Sequence, residues 1–231
     1  MNELHPVAVY RCDLPEKFGL PRQSGLVDLP GRVEFLPAYR DPAAIRGIEG
    51  FSHLWLLWLF SHNRAESDSL TVRPPRLGGN ERRGVFATRS PYRPNPIGLS
   101  SVRLVGVEQD PRLGPVLHVR GGDLVSGTPI LDVKPYLPFT DAHPDATAGF
   151  AGRPETLFAV ELPPEARTLL SPDRQAQLVS LLSHDPRPAY QDDPTRVYGL
   201  TYADFDVRFS IEDGTLRVLS ILPSSRDRAD D

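Results

Sequence analysis

The chain has 231 residues, 39% hydrophobic and 24% charged, with a formal net charge of −4, which is the composition of a folded protein with one good core or two modest ones. It holds no apolar run of the roughly eighteen residues a membrane helix needs, and its amino-terminal MNELHPVAVY has an acid and a histidine where an export signal has basic and apolar stretches. The single cysteine, Cys12, excludes an internal disulfide and a cysteine-based metal cluster, so a cytoplasmic protein is expected.

In chain order, Pro6 to Arg11 alternates and is β-branched, predicting a strand, and a long Pro/Gly loop follows. Arg32 to Leu36 predicts a second strand. Asp41 to Gly47 predicts a short helix, with an N-cap acid, proline at the first helical position and a terminating glycine. Phe51 to Ser61 is apolar on both faces and is expected to be a buried central strand. Short strands are predicted at Val85 to Thr88, Leu99 to Val107, Val116 to Val119 and Ile130 to Val133, separated by Gly/Pro punctuation, a spacing that suggests a barrel or closed sheet. Beyond these, Leu157 to Glu161 reads as a strand, Ser171 caps a helix, and Asp213-Gly214 turns a hairpin between Phe205 to Ile211 and Thr215 to Ile221. The expectation is a mainly β fold: a small β-barrel domain over residues 1–155, a smaller α+β domain over 156–222, and a disordered tail over 223–231.

A net negative chain argues against a polyanionic partner, but the charge is unevenly placed. Between Arg73 and Ser100 stand six arginines (Arg73, Arg76, Arg82, Arg83, Arg89, Arg93) and one acid, Glu81, so this segment carries +5 and the remainder −9. Its prolines fix φ and its glycines admit close approach, which predicts a pre-organised loop projecting Arg89, Ser90, Arg93 and Asn95. The bland alternative is a Pro-rich connection with solvated arginines. In DLVSGTPILDVKPYLPFTD, Asp132 and Lys134 alternate with Leu131 and Val133, so in a strand the acid and the lysine share one face. An exposed structural ion pair is the competing explanation. PRQSG at 21–25 is on its own no more than a turn. His62 and Asn63 follow the apolar strand, a good position for a ligand contact. No histidine or carboxylate spacing suits a metal, and no Gly-rich fingerprint of a Rossmann fold or P-loop is present.

GVFATRSPYRPNPIGLS at 84–100, with RPPRLGG before it, resembles the signature of the TsaA/TrmO-like family of tRNA methyltransferases. PRQSG at 21–25, GFSHLWLL at 50–57, DLVSGTPILDVKPYLPF at 123–139 and DPRPAY at 185–190 are similar to that family's other blocks, in the same order along nearly the whole chain. The resemblance implies methyl transfer from S-adenosylmethionine to the exocyclic N6 amine of threonylcarbamoyl-adenosine beside the tRNA anticodon. It implies a cofactor-binding β-barrel without a Rossmann sheet, a smaller second domain, and a homodimer. By motif position it implies cofactor contacts at Pro21, Arg22, Gln23, His62, Asn63, Arg89, Leu99, Ile130, Leu131, Asp132 and Val133.

The chemistry of these side chains is compatible. S-adenosylmethionine presents a carboxylate for Arg89 or Arg22, an ammonium for Asp132, and an adenine for Leu99 with Leu131. The acceptor's own carboxylate suits Lys134, Arg93 or Arg76. Asp132 and Tyr136 are the candidate bases, with Lys134 and Asn95 the remaining candidates for the reacting centre. The anticodon loop would meet Arg73, Arg76, Arg82 and Arg83, with Tyr92 for stacking. The alternative is a non-catalytic RNA- or nucleotide-binding module using the same basic strip.

Overall fold

Two apolar cores organise the chain in the computed structural model, which describes residues 3–61, 69–74, 77, 79–152, 157–187, 193 and 195–224. The elements run β1 (Ala8–Cys12), β2 (Pro30–Phe35), β3 (His53–Leu59), β4 (Thr71–Val72), β5 (Arg83–Gly84), β6 (Ile97–Asp110), β7 (Gly114–Arg120), β8 (Pro129–Pro135), α1 (Pro138–Asp141), β9 (Ala159–Glu161), α2 (Ala166–Leu169), α3 (Pro172–Ser183), β10 (Tyr198–Tyr202), β11 (Phe205–Glu212) and β12 (Thr215–Pro223). The fold is mainly β.

Strands β1-β2-β7-β6-β3-β8 close into an antiparallel barrel. Period-two alternation sends Ala8, Tyr10, Val33, Leu54, Leu56, Trp58, Val102, Leu117 and Val119 into its interior. Gly98 pairs with Trp58, and a Cβ at Gly98 would overlap the indole ring, so glycine is what lets tryptophan lie across the barrel. The segment 51–61, apolar on both faces, is central as expected, pairing with β6 and β8, but only its inner face is fully buried. Trp55 and Leu57 point outward and stay half-exposed, because a closed single-sheet barrel has one inside.

The second core lies under a sheet ordered β10-β11-β12-β9, with β9 parallel to β12. Leu178, Leu181 and Leu182 of α3 pack there, and the Ser171 hydroxyl accepts from the Arg174 amide at 3.4 Å as the N-cap. The hairpin turn places Asp213 at φ 48° and Gly214 at φ 75°, the left-handed pair that a tight hairpin requires. The loop between β1 and β2 does not simply bridge barrel strands. Its Leu14, Val27 and Leu29 belong to the second core, and Phe18, Leu20 and Leu26 pack against it.

Two local expectations are corrected. Val85 to Thr88 is a 3-10 turn over Val85–Ala87, not a strand: only Val85 is buried, and the Thr88 amide and hydroxyl both turn back to its carbonyl. The segment Asp41 to Gly47 forms a 3-10 turn over Pro42–Ile45, with Asp41 accepting from the Ala43 amide at 2.8 Å and Gly47 at φ 87°. Strand β10 and the short helices α1 and α2 were not anticipated. The boundary expected near residue 155 and tail positions 225–231 lie outside the described residues.

Candidate functional site

On the barrel's outer face, three adjoining strands line up the candidate residues. Leu57 of β3 is paired with Leu99 of β6 on one side and with Asp132 of β8 on the other. One step along, Trp55 stands between Ser101 and Lys134. Directly paired residues share a face, so Leu99, Leu57 and Asp132 form one row, about 10 Å across from the inter-strand spacing, and Ser101, Trp55 and Lys134 the next. Leu99 is 51% exposed, unusual for a leucine in the middle of a strand. Lys134 Nζ lies 2.8 Å from Asp132 Oδ2, the shared-face pair expected from the alternation, and the carboxylate raises the lysine's pKa. Tyr136 continues the same face, its ring 5.4 Å from that of Trp55.

A bulge between Leu57 and Trp58 leaves Leu131 as the extra residue of β8, so Ile130 points into the barrel core and Val133 packs against it. Of Ile130, Asp132 and Val133, Asp132 is the one paired across this face. Ile130 and Val133 are left with backbone contacts to offer.

The loop carrying Pro21, Arg22 and Gln23 sits at the edge of β6 beyond the end of β7. The Ser101 amide donates to Ser24 Oγ at 3.2 Å, and the Gly25 amide to the Gly121 carbonyl at 2.8 Å. Gln23 Oε1 accepts from Arg89 Nη1 at 2.5 Å, which joins the 21–25 loop to the arginine-rich loop, although 66 residues separate them in sequence. Arg22 faces elsewhere: its Nη2 donates to the carbonyls of Asp185 and Arg187 at 3.2 and 3.3 Å. Arg89, by contrast, is exposed and held by Gln23.

Beneath this site runs a buried polar chain that the sequence did not reveal. Trp58 Nε1 donates to Ser100 Oγ at 3.0 Å, and Ser100 Oγ donates to Asp123 Oδ1 at 2.5 Å. Burial pushes the Asp123 carboxyl above its usual range, outweighing the bonds from Ser100 and from the amides of Asp123 and Ser24 and the nearby charge of Arg89. The chain fastens the 21–25 loop to the barrel wall. The only hint of it in sequence is a serine inside an otherwise inward-facing apolar set, Gly98, Ser100 and Val102.

The arginine strip divides. Arg82 Nη1 donates to the Thr71 hydroxyl at 2.7 Å, and Arg83 pairs with Glu81 at 2.6 Å while lying over the Phe150 ring, both around the small β4–β5 ribbon. Arg93 Nη1 braces the loop through the Thr88 carbonyl at 3.2 Å. Arg73, Tyr92 and Asn95 are exposed. His62, Asn63 and Arg76 lie outside the described residues. A depression of about 450 Å³ lies instead among the 3-10 turns at Asp41–Gly47 with Glu49 and Gln109. It gathers none of the candidate residues, so the chemistry points to the outer barrel face and not to this hollow. Among the described residues no three His, Cys, Asp or Glu side chains gather to hold a metal, and no helix is long and apolar enough to cross a membrane.

The face offers an apolar row and an acid, and the loop tied to it holds a cation, groups that suit the adenine, ammonium and carboxylate of S-adenosylmethionine. Comparison with known proteins bears on the family. Residues 9–142 match the tRNA-methyltransferase O N-terminal domain and residues 155–224 the TrmO C-terminal domain. A tRNA (adenine(37)-N6)-methyltransferase of Escherichia coli strain K12 is 40% identical, the match covering 96% of this chain and 98% of that protein. A putative S-adenosylmethionine-dependent methyltransferase, RcsF, of Pseudomonas aeruginosa is 43% identical over 90% of this chain and 92% of its own length. A crystal structure of TrmO superposes with a TM-score of 0.78 at 36% identity, covering 96% of this chain and 98% of that one. Matched in both its parts and over nearly its whole length, the chain belongs to the tRNA-methyltransferase O family.

Proposed function

We propose that this protein is an S-adenosylmethionine-dependent tRNA methyltransferase acting on the N6 amine of threonylcarbamoyl-adenosine at position 37 of tRNA, a position named in the E. coli relative's activity. The observation that carries the reading is the row Leu99, Leu57 and Asp132 on one barrel face, with the 21–25 loop tied to β6 through Ser24 and to Arg89 through Gln23. Arg89 holds the cofactor carboxylate, Asp132 its ammonium, and Leu99 and Leu57 flank its adenine. When bound, the cofactor supplies an electrophilic methyl group on sulfonium sulfur. The protein's part is to fix the acceptor nitrogen in line with the bond that breaks, and alignment of this kind supplies most of the acceleration in such transfers.

Lys134 binds the carboxylate of the threonylcarbamoyl group. Its bond to Asp132 is between exposed partners and is therefore weak, so exchanging one carboxylate for another costs little. Arg93 and Arg76 are the further candidates for that anion. The attacking nitrogen gains positive charge and sheds a proton late, with Asp132 and Tyr136 the two candidates to take it. Arg73, Arg82 and Arg83 meet backbone phosphates, and Tyr92, 51% exposed, offers a stacking face. The barrel carries the cofactor and the smaller unit backs the 21–25 loop through Arg22. Assembly as a homodimer, which the family resemblance implies, belongs to the same reading. The place of action is the cytoplasm, where tRNA is modified.

Isothermal titration with S-adenosylmethionine, followed by nucleoside mass spectrometry of tRNA incubated with the enzyme, tests the reading. Cofactor binding and conversion of threonylcarbamoyl-adenosine to its N6-methyl form are expected. A flat titration with folded protein would sink it.

A further inference from the structure

The second unit grips the 21–25 loop through Arg22. Arg187 is only 8% exposed, and its Nε and Nη2 bind Asp185 Oδ1 and Oδ2 at 2.9 and 3.1 Å, a bidentate fork. The guanidinium also lies over the rings of Phe158 and Tyr198, at 5.7 and 5.9 Å from their centroids. The Asp185 amide continues from α3 by donating to the Leu182 carbonyl at 3.1 Å, and the backbone there takes φ 47°, a left-handed conformation that aspartate accepts more readily than most residues. The result is a turn of fixed shape whose two carbonyls, those of Asp185 and Arg187, point at one guanidinium, that of Arg22. The next residue, Gln23, holds Arg89. Leu20 before the loop and Val27 after it are anchored in the same second core.

We propose that Arg187 is a positioning residue for the cofactor site. It touches neither cofactor nor tRNA. By closing on Asp185 it shapes the turn that clamps Arg22, and through Gln23 it sets where Arg89 presents its charge. The smaller unit thereby governs cofactor affinity from behind the site, and the inference rests on the cofactor-binding role assigned above to the Arg89 face. Without the clamp, the loop keeps its hydrophobic anchors but loses the orientation of its tip.

The test uses the full-length protein and titration calorimetry with S-adenosylmethionine. Arg187→Met, which keeps volume and apolar packing, is expected to weaken cofactor binding at least tenfold. Binding to unmodified anticodon-loop RNA should stay within twofold of wild type. Arg22→Ala should weaken the cofactor similarly, and adding it to Arg187→Met should change affinity less than twofold further, because both act through one clamp. Asp185→Asn, which keeps the turn's size and most of its hydrogen bonds, gives a smaller loss in the same direction and serves if Arg187→Met does not fold. Kinetically the variants should raise KM for the cofactor more than they lower kcat. Wild-type affinity in Arg187→Met, or additive losses in the double variant, overturns the proposal while leaving the methyltransferase reading intact. No cofactor binding by the wild type overturns both.

Discussion

Ser100→Ala removes one hydroxyl, which takes the acceptor from the Trp58 indole N–H and one of several donors from the Asp123 carboxylate. Ser100 is fully buried, accepts from the Trp58 indole at 3.0 Å and donates to Asp123 at 2.5 Å. An unsatisfied buried N–H costs about 1–3 kcal/mol, and loss of a hydrogen bond to a charged group about 1.5–3 kcal/mol. Together they predict a destabilisation of about 3–5 kcal/mol, or roughly 6–20 °C in Tm for a chain of this size. The pH dependence follows from Asp123. Burial already raises its folded pKa, so its ionised form weakens the fold at neutral pH, and that penalty is relieved as pH falls through the folded pKa. Deleting the Ser100 donor raises that pKa further, so the gap between variant and wild type should narrow on acidification. Urea denaturation at neutral pH and at successively lower pH toward the unfolded carboxyl value of about 3.9 measures both effects. A loss below about 1 kcal/mol at neutral pH, or an equal loss across that whole range, refutes the role assigned to this chain.

Gly98→Ala sets a methyl group into the Trp58 indole, and overpacking of this kind costs about 1–3 kcal/mol, read as a lowered urea midpoint together with altered near-UV circular dichroism of Trp58. Asp132→Asn should weaken S-adenosylmethionine about tenfold, roughly 1.4 kcal/mol, while Lys134→Ala leaves cofactor affinity within twofold and impairs only the modified acceptor, outcomes separated by titration against kinetics. Arg82→Ala and Arg83→Ala should each lower the slope of log affinity for tRNA against log salt by roughly 0.7, and an unchanged slope would remove them from the RNA face. For Asp28, burial works against ionisation but hydrogen bonds from Arg120 and Arg103 outweigh it and hold the pKa low. Its stabilising contribution is therefore present above the unfolded value of about 3.9 and lost as pH falls through the folded one. Asp28→Asn should accordingly matter at neutral pH and disappear in acid, and because the carboxylate is 60% exposed the effect is at most about 1 kcal/mol, measured by denaturation across that range.

Several features follow from local sequence because the physics that sets them is local. Alternation placed Asp132 and Lys134 on one strand face, and Ser171 and Asp213-Gly214 marked a cap and a turn, since such signals depend on neighbours a few residues apart. Uneven charge marked the strip from Arg73 to Ser100, and the ordered motifs marked the family. The tertiary structure alone decided which of these residues meet. Barrel closure set Leu99, Leu57 and Asp132 side by side and turned Ile130 and Val133 inward, because a one-residue bulge shifts which side chains face out. The Gln23–Arg89 contact, the Trp58–Ser100–Asp123 chain and the Arg22 clamp on the turn at Asp185 join residues 23 to 163 positions apart. Contacts at that separation leave no period in the sequence, and they exist only once both cores have closed around the loop that the two units share.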